Sequence, residues 1–305
     1  MRLVLIALIM SLMTITSYAR DQINIVGSST VYPFSTVVAE RFGKSGFKTP
    51  VIESTGTGGG MKLFCAGIGV NTPDMSNASR KIKSKEIKLC KNNGVTDITQ
   101  VMVGLDGIAF TSSVKGKEYN FTKKHLWEAM ADLGPRPTKW SDIDPSLPDY
   151  KIAILTPPAT SGTRDAWNSL VMKKGCPEEI LKEKGKKACY MLREDGPVIE
   201  VGENDTLIIN KLVGEPSYFG IFGFSYYDNS KDKVQAHKIE GVEISLKAIQ
   251  DGSYPISRPL FFYVKNQHKG VIPGVEEYVK EFTSNRAAGK RGYLLDLGLV
   301  PLKNL

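Results

Sequence analysis

The sequence has almost no histidine: three residues, His125, His237 and His268, in a chain of 305. Its four cysteines form no CxxC pair. A metal site or a thiol-redox centre therefore has little to work with, and neither a metal nor a cofactor is expected. No GxxxxGK(S/T) loop occurs, and Gly56-Thr57-Gly58-Gly59-Gly60-Met61 lacks the final glycine of a dinucleotide fingerprint. There is no GxSxG elbow and no HExxH, and no histidine neighbours a candidate nucleophilic serine in sequence. Internal repeats and low-complexity tracts are absent. No internal stretch approaches the roughly 20 continuous apolar residues that span a bilayer.

What is present starts with one apolar run, Leu3 to Met13, behind the single basic residue Arg2. It ends in Ser17-Tyr18-Ala19, with small residues at the two positions a signal peptidase reads. The pattern predicts a signal peptide over residues 1–19, cleaved after Ala19. The residue right after that point is Arg20 and not cysteine, so a lipoprotein or other membrane anchor is not expected, and a soluble export product points to the periplasm. In an oxidising compartment the four cysteines can pair in three ways. Their proximity, two and two, favours Cys65–Cys90 and Cys176–Cys189.

The remaining composition, 41% hydrophobic and 24% charged, is that of a globular chain with one large or two medium cores. Formal net charge is +8. Lysines cluster at Lys81-Lys83-Lys85-Lys88, Lys182-Lys184-Lys186-Lys187 and Lys231-Lys233. Such runs are ordinarily solvated faces, and they also attract small anions weakly. They lack interleaved aromatics, and nucleic acid is not an expected partner.

Short β-branched runs alternate with helical patterns, the signature of an α/β fold. Strands are predicted at Gln22–Val26, Thr49–Glu53, Gly107–Thr111, Lys151–Leu155, Tyr218–Phe224 and Ser257–Val264. Asp74–Arg80 reads as extended. Phe34, Val37, Val38 and Phe42 recur at helical spacing behind Pro33. Ser84 and Thr122 read as helix caps, and helices are predicted at Asp205–Val213, Val275–Phe282 and Gly292–Leu297. Ala166, Leu170 and Val171 mark one face of a helix opened by Pro157-Pro158-Ala159-Thr160-Ser161-Gly162-Thr163-Arg164.

Four segments share one design, a strand followed by a hydroxyl- and glycine-rich loop: Gly27–Thr30, Ser54–Gly60, Ser76–Arg80 and Thr160–Arg164. The first N–H groups of a helix have no internal partner, and the helix dipole places partial positive charge there. Glycines let those groups approach a ligand, and Ser or Thr hydroxyls add donors, so such a loop cradles anions. Any one of them can be a plain N-cap. Four together, two ending in arginine, point to an oxyanion site. A guanidinium fork matches two oxygens of a tetrahedral anion, which singles out Arg80 and Arg164.

At these loops the sequence resembles the PstS family, the phosphate-binding components of ABC transporters. The resemblance rests on Gly27-Ser28-Ser29-Thr30-Val31-Tyr32-Pro33, Ser54-Thr55-Gly56-Thr57-Gly58-Gly59, Asn77-Ala78-Ser79-Arg80 and Ser161-Gly162-Thr163-Arg164-Asp165. Pro157 to Trp167, Glu203-Asn204-Asp205 and Tyr254-Pro255-Ile256-Ser257-Arg258-Pro259-Leu260 extend it across the chain. It implies a two-lobed type II periplasmic-binding-protein fold with two hinge crossings, near Leu105–Phe110 and Arg258–Val264. Residues 20–106 with 258–305 would form lobe I, and 107–257 lobe II. It also implies a monomeric binding protein rather than an enzyme, with inorganic phosphate and an ABC permease as partners. The ligand set it implies is Ser29, Thr30 with Val31, Thr57 with Gly58, Ser79, and Ser161, Gly162 and Thr163. The sequence departs from some members in having Arg80 where they have an aspartate, and Pro157 where they have an arginine. The acceptor that would tell hydrogen phosphate from sulfate is then open among Glu53, Asp106, Asp165 and Asp205. Two other readings compete: a binder of arsenate, sulfate, molybdate or tungstate, and a secreted phosphohydrolase with Ser161 as nucleophile.

Overall fold

The computed structural model describes residues 20–303 apart from 160, 203 and 204. The signal peptide expected over residues 1–19 lies outside the described residues, as do Thr160, Glu203 and Asn204 of the motifs above.

Strands β1 (Asn24–Gly27), β2 (Val51–Ser54) and β3 (Met75–Ala78) run parallel with β1 in the middle. Helices α1 (Tyr32–Gly43) and α2 (Gly56–Phe64) connect them, and α3 (Ser84–Asn92) follows β3. Phe34, Val38 and Phe42 form the buried stripe of α1, as the spacing predicts. The cap of α3 is Lys83, one residue before the expected Ser84, because the Glu86 carboxylate accepts the Lys83 N–H (2.8 Å).

Next come β4 (Ile98–Ser113), β5 (Asn120–Phe121), α4 (Lys123–Met130), β6 (Ile154–Thr156) and α5 (Gly162–Trp167). They are followed by β7 (Val198–Glu200), β8 (Phe219–Gly223), β9 (Val234–Ala236), β10 (Lys238–Ile239) and β11 (Ser257–Lys265). Helices also form at Asp205–Gly214 and Val275–Phe282, whereas Gly292–Leu297 supplies only a short turn of helix at Leu295–Leu297.

The main sheet has the order β2-β1-β3-β11-β4-β8-β6-β7, with β9 also on β4. Strand β4 belongs to both halves. Its residues Ile98 to Gly107 pair antiparallel with β11, and Ile108 to Ser112 pair with β8. The chain thus crosses between Gly107 and Ile108 and returns at Ile256–Ser257. The two crossings are tied together: Ile108 N donates to Ile256 O (3.0 Å), and the Tyr254 hydroxyl donates to Ile108 O (2.8 Å).

Packing follows this division. One core draws on residues 105–256 with Val300, around Phe110, Phe121, Trp140, Trp167 and Phe219. A second draws on residues 23–103 and 260–299, and a small third lies under α2. Burying one Phe contributes about 1.5–3 kcal/mol, so each half carries its own cohesion. The disulfides are the two local pairs: Cys65–Cys90 ties the end of α2 to α3, and Cys176–Cys189 closes a loop beyond α5. Among the described residues no helix is long and apolar enough to cross a membrane.

Candidate functional site

The first loop leaves β1 at Gly27, whose φ is +129° and whose Cβ, were it present, would stand 2.1 Å from Asn77 O. Only glycine lets β1 and β3 approach so closely there. Ser28 N donates to Asn77 O (2.9 Å) and Tyr32 N to Ser28 O (3.0 Å), which starts α1. Between them, the N–H groups of Ser29, Thr30 and Val31 have no acceptor among the described residues. They form a donor-rich turn at the head of a helix.

The second and third loops interlock. Thr55 N donates to Gly27 O (2.9 Å). Two residues on, Thr57 Oγ1 accepts from Ser79 N (3.1 Å) and lies 3.2 Å from Ser79 Oγ. In the fourth loop, Ser161 caps α5 by accepting the Thr163 N–H (3.2 Å). Thr30 Oγ1 donates to Gly162 O (3.1 Å), so the first and fourth loops touch across the seam between the halves.

Arg258 draws these parts together. It lies in β11 opposite Asp106 of β4, with its side chain 8% exposed. Nη2 donates to Thr30 Oγ1 (2.5 Å), Nη1 to Ser169 Oγ (3.2 Å) and Nε to Asp106 Oδ2 (3.4 Å). Asp165 Oδ2 is 3.8 Å from Nη2. Ser169 reaches inward from a wide π-helical turn, Asn168–Met172, that continues α5. Burial pushes the Asp106 carboxyl above its ordinary range, and the Arg258 charge opposes that. In the sequence, Arg258 stands out only as part of the longer run Tyr254 to Leu260. The available signal was an arginine inside an aromatic, buried strand, since a buried charge requires partners.

The two arginines singled out from the loops have other partners. Arg80 forks onto Glu86 (2.7 and 2.9 Å) and also donates to Lys81 O (3.0 Å). Burial works against the Glu86 charge, but the bonds from Arg80 and Lys83 N hold its carboxyl below the ordinary range. Arg164 is buried and turns back to Pro157 O (3.1 Å) and Thr156 Oγ1 (3.3 Å), with Glu200 at 3.7 Å. It braces the loop that carries Ser161.

Three adjoining cavities line the seam. One of about 730 Å³ is walled by Ser29, Ser54, Ser161, Gly162 and Asp165. A second of about 640 Å³ is walled by Thr57, Gly58, Ser79, Arg80 and Arg258, and it shares Asp165. A third of about 280 Å³ meets Thr30, Asp106, Thr163 and Asp205, and it shares Ser161 and Gly162 with the first. The hydroxyls predicted from the loops are thus gathered at one seam, and Arg164 and Val31 stand behind it. Glu53 is exposed on β2.

No histidine reaches Ser161 among the bonds of the described residues. His125 lies in the cap of α4, His237 bonds Tyr119 N and faces Ser112 Oγ, and His268 bonds Asp74 and Ile68 O. No group of three or more His, Cys, Asp or Glu residues placed to hold a metal is found among the described residues.

Two α/β halves joined by two crossings, with hydroxyl-bearing loops facing across the seam, define a two-lobed solute-binding fold of the type II periplasmic kind. The PBP superfamily domain matches residues 14–286, and the chain belongs to that superfamily, as a homologue of the PstS phosphate-binding proteins. It is 31% identical over 284 residues to Protein SphX of Synechococcus elongatus, covering 90% of this chain and 76% of that one. It is 30% identical over 278 residues to the phosphate-binding protein PstS of Staphylococcus epidermidis, covering 88% and 77%. Among solved structures, "a possible phosphate binding protein" from Planctomyces limnophilus superposes with a TM-score of 0.76 at 28% identity, covering 93% of each chain.

Proposed function

We propose that this chain is an extracytoplasmic, periplasmic solute-binding protein that captures one inorganic phosphate between its lobes and delivers it to the permease of an ABC importer. It acts as a monomer and without catalysis. Lobe I comprises residues 20–106 with 258–305, and lobe II residues 107–257. The division of the cores and the crossings at Gly107–Ile108 and Ile256–Ser257 support those bounds. The leader pattern with cleavage after Ala19 and the two disulfides support export.

The observation that carries the reading is Arg258, a buried guanidinium bonded to Thr30 of one lobe and Ser169 of the other. Phosphate is held by N–H and hydroxyl donors of Ser29, Thr30, Val31, Thr57, Gly58 and Ser79 from lobe I, and Ser161, Gly162 and Thr163 from lobe II. Arg258 is the direct charged donor. Arg80 on the cavity wall and Arg164 behind the Ser161 loop add positive field. Asp165, shared by two cavities and close to Arg258, accepts the proton of hydrogen phosphate. Micromolar affinity needs about 8 kcal/mol. Bonds to a charged group give roughly 1.5–3 kcal/mol each, so several reach that range after desolvation and ordering. Each histidine's engagement away from Ser161 supports binding over phosphoester hydrolysis.

The test is calorimetric titration of the mature chain with phosphate, arsenate, sulfate, molybdate and tungstate, beside a phosphomonoester turnover assay. One phosphate per chain, preferred over sulfate, is expected, with a raised melting temperature because the ligand binds the folded state. A chain that neither binds nor is stabilised by phosphate would overturn the reading.

A further inference from the structure

The cavity that holds Thr57, Ser79 and Arg258 is larger than a single phosphate requires. At about 640 Å³ it falls within the roughly 300–1,000 Å³ of sites for drug-sized ligands. Its outer wall is cationic from both sides. Lys81 and Lys83, between β3 and α3, stand on lobe I, and Lys186, from the lysine run ahead of Cys189, stands on lobe II. None of these three ammonium groups has an ion-pair partner among the described residues, whereas Arg80 beside them is paired with Glu86. The crowding is electrostatic as well as spatial. The Arg80 charge and burial pull the Lys83 ammonium below its ordinary range against the opposing Glu86 charge, with smaller contributions from Lys85 and, from lobe II, Lys173. Like charges brought face to face across a cleft repel, and a bound polyanion relieves that repulsion. Leu170, Tyr190 and Pro259 supply the larger apolar side chains of the lining, and Asp165 is its one carboxylate, against the cations Arg80, Lys81, Lys83, Lys186 and Arg258.

Resting on the phosphate reading above, we propose that the cleft contains a second anion subsite, formed by Lys81, Lys83 and Lys186, that takes the terminal phosphoryl group of inorganic diphosphate or a short linear polyphosphate. One phosphoryl group would occupy the Thr30–Arg258–Ser161 region, and the next would lie toward the lysines. Closing the lobes brings the two lysine groups together only when an anion lies between them.

The experiment is calorimetry with orthophosphate, diphosphate and glycerol phosphate at one fixed ionic strength, on the unmodified chain and on the Lys83→Ala/Lys186→Ala double variant. Melting curves confirm that both are folded; the two side chains are exposed. The expected result is diphosphate binding that weakens at least about tenfold in the variant, while orthophosphate affinity changes less than about twofold. Glycerol phosphate should bind more weakly than diphosphate. Three results would overturn the subsite: orthophosphate binding without diphosphate binding, equal losses for both anions in the variant, or glycerol phosphate binding as tightly as diphosphate. If no phosphate species binds at all, the phosphate reading itself fails and the subsite fails with it.

Discussion

Arg258 and Thr30 are 228 residues apart in sequence and 2.5 Å apart at Nη2 and Oγ1. Thr30 Oγ1 in turn donates to Gly162 O. The contact therefore runs from the strand that re-enters lobe I, through the first loop, to the Ser-Gly-Thr loop of lobe II. Asp106 and Ser169 hold the other faces of the guanidinium. A fork fixed on several sides before ligand arrives loses little freedom on binding, and this makes it a stronger donor than a free surface arginine.

Replacing that fork should be costly even with its charge kept. Arg258→Lys is expected to weaken phosphate binding by about 10- to 100-fold in calorimetry, because an ammonium cannot supply the same set of bonds. Thr30→Val should cost about tenfold by removing one hydroxyl. If both variants bind phosphate like the parent chain, the ligand does not sit at this contact.

Gly162 gives a separate handle on closure. A Cβ there would stand 2.6 Å from Thr30 Cα and 3.0 Å from Ser29 O, both backbone atoms. Overpacking of this kind costs about 1–3 kcal/mol. Because the clash lies between lobes, Gly162→Ala should push them apart rather than unfold either core. Phosphate affinity is expected to fall about tenfold, with the ligand-free melting temperature nearly unchanged. A large drop in that temperature would place the strain inside a lobe instead.

Anion choice should depend on Asp165. A carboxylate facing the bound oxyanion accepts the proton of hydrogen phosphate and repels sulfate, which has none to give. Asp165→Asn should therefore narrow the preference for phosphate over sulfate by at least about tenfold, mainly through tighter sulfate binding. Its side chain is 53% exposed, which keeps the expected effect moderate. Competition titrations measure the ratio directly, and an unchanged ratio moves the acceptor role to Asp106 or Asp205.

Much of this architecture was readable because local chemistry and tertiary placement agreed. The aromatic run at Ser257 becomes β11, the helix at Val275–Phe282 has the predicted bounds, and Thr122 caps α4 through the His125 N–H. The four hydroxyl loops follow β1, β2, β3 and β6; the first three strands run parallel to one another and β6 runs the opposite way, so their C-terminal ends meet at the seam from both sides. Other features follow from contacts that no local pattern encodes. The first half of β4 went unread because Gly104 and Gly107 break its apolar pattern. Both glycines in fact give close approach, Gly104 to Leu299 and Val300 and Gly107 to Ile249. Arg80 lines the cavity as the loop pattern predicts, but its pairing with Glu86, beyond the turn into α3, has no local signature. Arg258 reads as a strand residue and is one, but its bond to Thr30 spans 228 residues that no local pattern links.

Stability should fall in mild acid through His237, which lines none of the three seam cavities. Its ring packs among Phe110, Tyr119, Phe121 and Phe219, its Nδ1 accepts the Tyr119 N–H, and its Nε2 faces Ser112 Oγ. Burial holds its pKa at about 3, against an ordinary value of 6.5. The unfolded chain therefore takes up a proton below pH 6.5 that the folded chain refuses. Its contribution is complete above that pH and is lost as pH falls toward 3, by about 1.4 kcal/mol per pH unit. Urea melts at pH 7.5, 6, 5 and 4 should show a slope steeper by about that amount in the parent chain than in His237→Asn. Parallel slopes in the two proteins would mean that the imidazole is protonated inside the core, contrary to its apolar surroundings.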